Sequence, residues 1–387
     1  MTMEIRFADP DDMVQIKKLW EYCFDDSPEF INWFFSRRYL SQNTLAVYDG
    51  GSVRCALQLL PYTIMLRGHH VRTSYLVGLS TWPQFRGRGD ARVLIRHALE
   101  VMRMRQEWVS ILLPFRYDFY RKHGWEICYH HLVYSGDREM LGPAGKISDD
   151  MIPAQKEQIH LLNMCYKKFM KAYNGYVMRN EDDWDRLLDD LRIDGGTGYI
   201  AVRDSEAVGY ALFVISNRQC KVRELVYTDT EAKGALMKLI ANHYSQIDSI
   251  VWNAPPDDIT YMDMPDPRGM LYKQPYVMGR IVDAGQALRM LRPAKEVNLT
   301  IRIIDPMLEW NNGIFKLCGA DGVMEAFPCD TSPQIVMPVT TLAQLLWGYI
   351  TPAQAQKHGK LDVQDHRAMD HLEGLFMPAV NYIIEDY

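Results

Sequence analysis

Apolar runs and polar breaks separate strands from helices along much of this chain. Residues 75–81 (YLVGLST) form an apolar run with the length and composition of a buried strand. Trp82-Pro83 ends it, and the basic loop Gln84-Phe85-Arg86-Gly87-Arg88-Gly89 follows. From Asp90 the period lengthens: Leu94, Ala98, Val101 and Met102 recur at helical spacing, with Arg92, Arg96, Arg103 and Arg105 outside that stripe. A second apolar strand, 109–114, comes next. The order is strand, glycine loop, helix, strand.

Upstream, Asp11 or Asp12 can cap a first helix whose apolar positions are Met13, Ile16, Leu19 and Trp20. An acidic turn with Asp25, Asp26 and Glu29 leads into an aromatic helix containing Trp33 and Phe34. Residues 44–48 and 55–62 read as strands around Asp49-Gly50-Gly51, and 64–66 pairs with 71–79 around Arg67-Gly68. Downstream, the Gly/Pro/Asp-rich stretch 142–150 marks a linker. Helices at 159–169 and 181–191, a hairpin at 199–215, a strand at 221–227 and a helix at 228–242 repeat the first half in degenerate form. At its strand–helix junction this repeat reads Thr228-Asp229-Thr230-Glu231, acidic and without glycines, so it should not bind a pyrophosphate. The Pro/Asp-rich stretch 255–267 precedes a last α+β unit with a strand at 299–304, a hairpin at 313–327 and three helices between 342 and 375.

The loop at 84–89 is an anion cradle. Gly87 and Gly89 let the backbone turn sharply and approach a ligand. Its amides and the first helical turn offer unpaired N–H donors, and Arg86 and Arg88 add charge suited to phosphate. No G-x-x-x-x-G-K-[ST] occurs, and no G-x-G-x-x-G follows a strand. A net charge of −6 argues against a general nucleic-acid binder. Seven scattered cysteines without C-x-x-C spacing suit reduced thiols in a cytoplasm. No apolar run reaches membrane-span length. His69-His70 and His130-His131 have no third ligand spaced to complete a metal site, so turn and strand-edge histidines are expected, with no metal.

The strand, the P-x-[aromatic]-R-x-R-G loop, the helix, the second strand and Phe119-Tyr120-Arg121-Lys122-His123-Gly124-Trp125 together resemble the acetyl-CoA core of the GNAT N-acetyltransferases. The opening Ile5–Asp12 resembles that family's first strand and helix; Val277–Asp283 and the terminal Glu385-Asp386-Tyr387 resemble its Eis-type subfamily. The resemblance implies a mixed α/β (α+β) protein. It divides into a GNAT catalytic domain at 1–148, a degenerate second GNAT-like domain at 149–277 and a sterol-carrier-protein-like domain at 278–387.

It also implies an enzyme that moves acetyl from acetyl-CoA to a primary amine of a cationic acceptor, either aminoglycoside- or polyamine-like, or a protein or peptide lysine. Leu79, Ser80 and Thr81 would then give backbone to the pantetheine arm, with the N–H near Leu79 polarising the thioester carbonyl. Arg86, Gly87, Arg88, Gly89, Asp90 and Ala91 would hold the pyrophosphate, and Phe115 and Arg116 would add cofactor contacts. Tyr120 matches the general acid; the Tyr387 carboxylate matches the base, raised by burial beside Glu385 and Asp386. Asp25, Asp26, Trp33, Phe34 and Asp386 would line the acceptor pocket. Asp90 stands where the family usually carries an apolar residue, and its charge should oppose the pyrophosphate, so Asp90→Leu should tighten binding. Partners are expected to be the amine acceptor and copies of the chain, up to a hexamer, with no nucleic acid and no membrane. The alternative is a non-catalytic carrier using the sterol-carrier-like domain for an apolar ligand.

Overall fold

The computed structural model describes residues 3–264 and 266–386. Two compact units emerge: one from the chain up to Tyr129 together with the chain from Tyr276 on, the other from His130 to Pro275.

The first unit begins with β1 (Met3–Phe7), α1 (Met13–Cys23), α2 (Pro28–Arg37), β2 (Thr44–Asp49), β3 (Ser52–Leu66) and β4 (His69–Thr81). It continues with α3 (Asp90–Met104), β5 (Val109–Leu112), α4 (Tyr117–Arg121) and β6 (Glu126–Ile127). The sheet order is β1-β2-β3-β4-β5, then the late strand Met278–Ile281, then β6. The two short strands anticipated at 55–62 and 64–66 are one continuous strand, because nothing between Tyr62 and Leu66 interrupts its pairing with β4. The stripe read on α3 is buried: Leu94, Ala98, Val101 and Met102, joined by Leu99, share one core with Leu45, Val47, Leu57, Leu59 and Leu76 of the sheet. Burying a Leu-sized side chain in such a layer contributes about 1.5–3 kcal/mol before entropy is counted.

Two irregularities in this sheet build the site. β4 and β5 pair in parallel, and their pairing runs only from Thr73↔Val109 to Tyr75↔Ile111. β4 nevertheless continues to Thr81 and β5 to Leu112, so beyond Tyr75 the strands part and a slot opens between them. Second, β4 bulges against β3: Ala56 faces Ser80 and Gln58 faces Val77, so Gly78 and Leu79 oppose a single residue. Gly78 sits at φ +61°, and a Cβ there would meet Gln58 Oε1 at 2.1 Å and the Trp20 ring at 2.2 Å. Only glycine fits.

The late strand brings the C-terminal part of the chain into this unit. It adds a five-stranded sheet, ordered Val323–Pro328, Gly313–Ala320, Val297–Ile304, Ile335–Pro338 and Asp362–Val363, with helices Val339–Trp347, Pro352–Lys357 and Ala368–Leu375. Arg280 on the late strand is fully buried, and its Nη2 donates to both carboxylate oxygens of Asp305 at 2.7 and 2.9 Å. Gly124 exists to admit that guanidinium: a Cβ at 124 would stand 2.6 Å from Arg280 Cζ. Further ties are Gln344 Nε2 to the Ile127 carbonyl (3.0 Å) and Trp347 Nε1 to the Tyr129 hydroxyl (2.7 Å).

The second unit holds a seven-stranded sheet, ordered Leu271–Pro275, His130–Asp137, Ser249–Ala254, Gln219–Tyr227, Glu206–Ser216, Thr197–Arg203 and Asp150–Pro153. Gln219–Tyr227, the helix Thr230–Ala241 and the parallel strand Ser249–Ala254 repeat the order β4, α3, β5. His130–Asp137 is a strand of this unit, so the stretch 142–150 lies within it and joins two of its strands. Among the described residues no helix is long and apolar enough to cross a membrane.

Candidate active site

The slot between β4 and β5 opens into a cleft of about 710 Å³. Its walls include Leu79, Ser80 and Thr81 of β4, Phe85, Arg86, Gly87 and Gly89 of the loop, the first turn of α3, and Phe115, Phe119 and His123 around α4. Gly89 is the N-cap of α3 at φ +90°, and no side chain caps the helix. The amides of that first turn therefore face the cleft with the positive end of the helix dipole behind them, an arrangement that binds phosphate. The corresponding helix of the second unit is closed by its own sequence. Asp229 caps Thr230–Ala241 by accepting from Ala232 N at 2.8 Å, and Arg203 pairs with Asp229 and Glu231. One end is open to an anion and the other already holds one.

Where the cleft reaches the bulge it meets a smaller cavity of about 160 Å³. Leu79 and Phe115 line both; Trp20, Asp26, Tyr75, Gly78, Tyr120 and Asp386 are among the residues that complete the smaller one. Tyr120 is 4 % exposed, and burial pushes its phenol above the ordinary range, so the hydroxyl stays protonated at physiological pH. The Asp26 carboxylate accepts from Trp20 Nε1 at 2.8 Å. The hydroxyls of Tyr75 and Tyr276 both donate to the Glu385 carbonyl, at 3.5 and 3.4 Å, which fixes the tail so that Asp386 lines the cavity.

Two GNAT acetyltransferase domain models match the chain, at residues 4–128 and 175–281, and a sterol carrier protein domain model matches residues 284–384. The chain belongs to the GNAT acetyltransferase family. Solved GNAT-type structures repeat its whole architecture. A protein from Enterococcus faecalis V583, described as a probable N-acyltransferase, aligns over 100% of both chains at 18% identity with a TM-score of 0.90. A GCN5-related N-acetyltransferase from Anabaena variabilis aligns over 100% of both at 23% identity and TM-score 0.87. Eis1 from Mycobacterium abscessus aligns over 99% of this chain and 100% of its own at 19% identity and TM-score 0.77. At such identities the likeness is one of fold. No curated protein matches the sequence. Family membership carries the general chemistry: acyl transfer from an acyl-CoA donor to an amine.

Within that GNAT frame, the residues singled out in the sequence fall into three groups. Leu79, Ser80, Thr81, Arg86, Gly87, Gly89, Asp90, Ala91 and Phe115 line the cleft, while Tyr120, Asp26 and Asp386 line the cavity beside it. Arg88 and Arg116 are turned to local partners: the Arg88 guanidinium lies over the Phe85 ring, and Arg116 pairs with Asp118 at 2.7 Å. Phe34 and Trp33 line neither space. Phe34 is fully buried against Trp20, with ring centroids 4.5 Å apart, and Trp33 packs on Phe30. Asp25 is exposed and lines neither space. The Tyr387 carboxylate lies outside the described residues.

Asp90 needs a correction. Its carboxylate is 4 % exposed and forms an ion pair with Arg54 of β3 at 2.8 Å, while that guanidinium also covers the Phe85 ring. The charge expected to repel a pyrophosphate is therefore neutralised. Asp90→Leu would remove the nearer of Arg54's two carboxylates and leave Asp49 at 3.7 Å, at a cost of about 1–3 kcal/mol. The expected result is a melting temperature lowered by several degrees and no gain in coenzyme A affinity, read by calorimetry. An unchanged melting temperature with tighter binding would reinstate the repulsion.

Sequence reading also passed over Gly78, Arg92, Phe119 and His123. A glycine inside an apolar run was the available signal for the bulge at Gly78. His123 was in view within the Tyr120 segment, but its burial against the cleft depends on the tertiary fold. Among the described residues no cluster of His, Cys, Asp or Glu could hold a metal ion.

Proposed function

We propose that the protein is an acetyl-CoA-dependent N-acetyltransferase acting on primary amines of cationic acceptors by direct attack, with catalysis in the first GNAT domain. The second GNAT domain serves as scaffold, and the sterol-carrier-like domain positions the tail. The observation that carries this reading is the continuity of the uncapped α3 N-terminus with a cavity holding a protonated phenol and two carboxylates.

In this mechanism the cofactor's pyrophosphate takes the amides at Gly87–Ala91, and its arm lies along Leu79–Thr81. The bulge turns the Leu79 N–H toward the thioester carbonyl, where one such donor contributes roughly 3–4 kcal/mol as negative charge develops on the oxygen. The acceptor enters as an ammonium held by Asp26 and Asp386 and gives one proton to water before it attacks. The amine nitrogen bonds to the carbonyl carbon, the C–S bond breaks, Tyr120 gives its proton to the departing thiolate, and the surplus proton on the new amide nitrogen restores the phenol. A cavity of about 160 Å³ walled by Trp20, Tyr75 and Tyr120 suits an ammonium on a slender stem, such as a polyamine end or a lysine side chain, better than a bulky aminosugar ring.

The test is release of free thiol from acetyl-CoA with a panel of polyamines, lysyl peptides and aminoglycosides. Asp26→Asn and Asp386→Asn are each expected to raise the acceptor KM about tenfold, the scale of one charge-assisted hydrogen bond, with coenzyme A affinity unchanged. A protein that binds coenzyme A but releases no thiol with any amine would favour the carrier alternative.

A further inference from the structure

A buried histidine with an unpaired ring nitrogen lines the cofactor cleft. His123 lies one helical turn beyond Tyr120 and is 8 % exposed, and its ring is part of the cleft wall. Its Nδ1 is sealed from solvent with no hydrogen-bond partner. The Phe119 ring meets it edge-on at a centroid distance of 5.0 Å, which fixes its plane. Burial, then the charges of Arg92, Arg280 and Lys122, lower its pKa to about 4, so at neutral pH the ring carries one N–H donor and one lone pair. Burying such a group unpaired costs free energy. The other nitrogen, Nε2, is not sealed in this way, so a ligand that fills the cleft can pair with it.

We propose that His123 is a cofactor-binding residue whose Nε2 pairs with the amide- and hydroxyl-bearing arm of coenzyme A. This rests on the donor assignment above. Position selects that part of the cofactor. Tyr120 marks the thioester end and Gly87–Ala91 the pyrophosphate end; His123 follows the first by three residues, and the charge of Arg92, one residue past the second, acts on its ring in the same cleft wall. Only the pantetheine arm spans that interval, and its amides can meet either tautomer of a neutral imidazole.

The experiment measures calorimetric affinities of the full chain for coenzyme A and for adenosine 3′,5′-bisphosphate, which lacks the arm. His123→Phe keeps the ring but removes its nitrogens; His123→Gln restores an amide nitrogen near the position of Nε2. The expected result is coenzyme A binding about tenfold weaker in His123→Phe and within about threefold of wild type in His123→Gln, as for one hydrogen bond. Bisphosphate binding should be equal in all three. Equal loss of both ligands in His123→Phe, equal loss in both variants, or no loss would overturn the assignment. A wild-type chain that binds no coenzyme A would instead sink the donor assignment itself.

Discussion

Tyr120→Phe is expected to lower kcat by about 10²–10⁴-fold, the range over which a positioned acid contributes, while coenzyme A affinity stays within about twofold. The substitution removes one oxygen from a ring that packs on Phe115, Phe119 and Trp125, so the ring's hydrophobic contacts survive. What is lost is the proton for the departing thiolate. The same residue shapes the pH profile. Because burial raises the phenol's pKa, its protonated, working form persists to higher pH than in a free tyrosine. Turnover should therefore rise with pH as the acceptor deprotonates and show no fall below about pH 10, the ordinary phenol value. Steady-state thiol release across pH measures both effects. Turnover within threefold of wild type in the Phe variant would move the acid elsewhere, with Tyr117 the first candidate.

Arg280→Ala is expected to cost 3–5 kcal/mol, because it leaves the Asp305 carboxylate charged, fully buried and without its cation. For a unit of this size that corresponds to a melting temperature lower by roughly 6–20 °C. Asp305 also accepts from the Met307 and Leu308 amides and from Asn311, so the compensating change must keep an acceptor there. Arg280→Met combined with Asp305→Asn removes both charges, keeps that acceptor and should recover at least half of the loss. Calorimetric melting decides it; a shift below 2 °C for Arg280→Ala would mean that water reaches the pair. Activity should fall with stability, since the same pair secures the segment that carries Asp386 to the cavity.

Local signals in the sequence were sufficient for α3, the glycine loop, the hairpin at Gly50-Gly51 and the acidic cap of the second unit's helix, because each is decided by neighbours a few residues apart. The readings that needed correcting depended on distant partners. Asp90 looked like a repellent charge until Arg54, on a strand well upstream, proved to neutralise it. Arg280 has the composition of a surface residue, and its burial follows from Asp305 and from the space left by Gly124. His130–Asp137 lies beside the Tyr120 segment in sequence, yet it pairs with Ser249–Ala254 and Leu271–Pro275, far along the chain. Phe34 and Trp33 were right as aromatic helix positions and were drawn into the core by Trp20 and Phe30.

The late strand Met278–Ile281 inserts between β5 and β6 of the first sheet. During synthesis, β5 must therefore wait with a bare edge until the ribosome has made the whole second unit, roughly ten to thirty seconds at 5–20 residues per second. An exposed strand edge invites pairing with other chains. Any product that terminates before Met278 would keep that edge permanently, so fragments of the N-terminal third should aggregate rather than behave as a minimal enzyme.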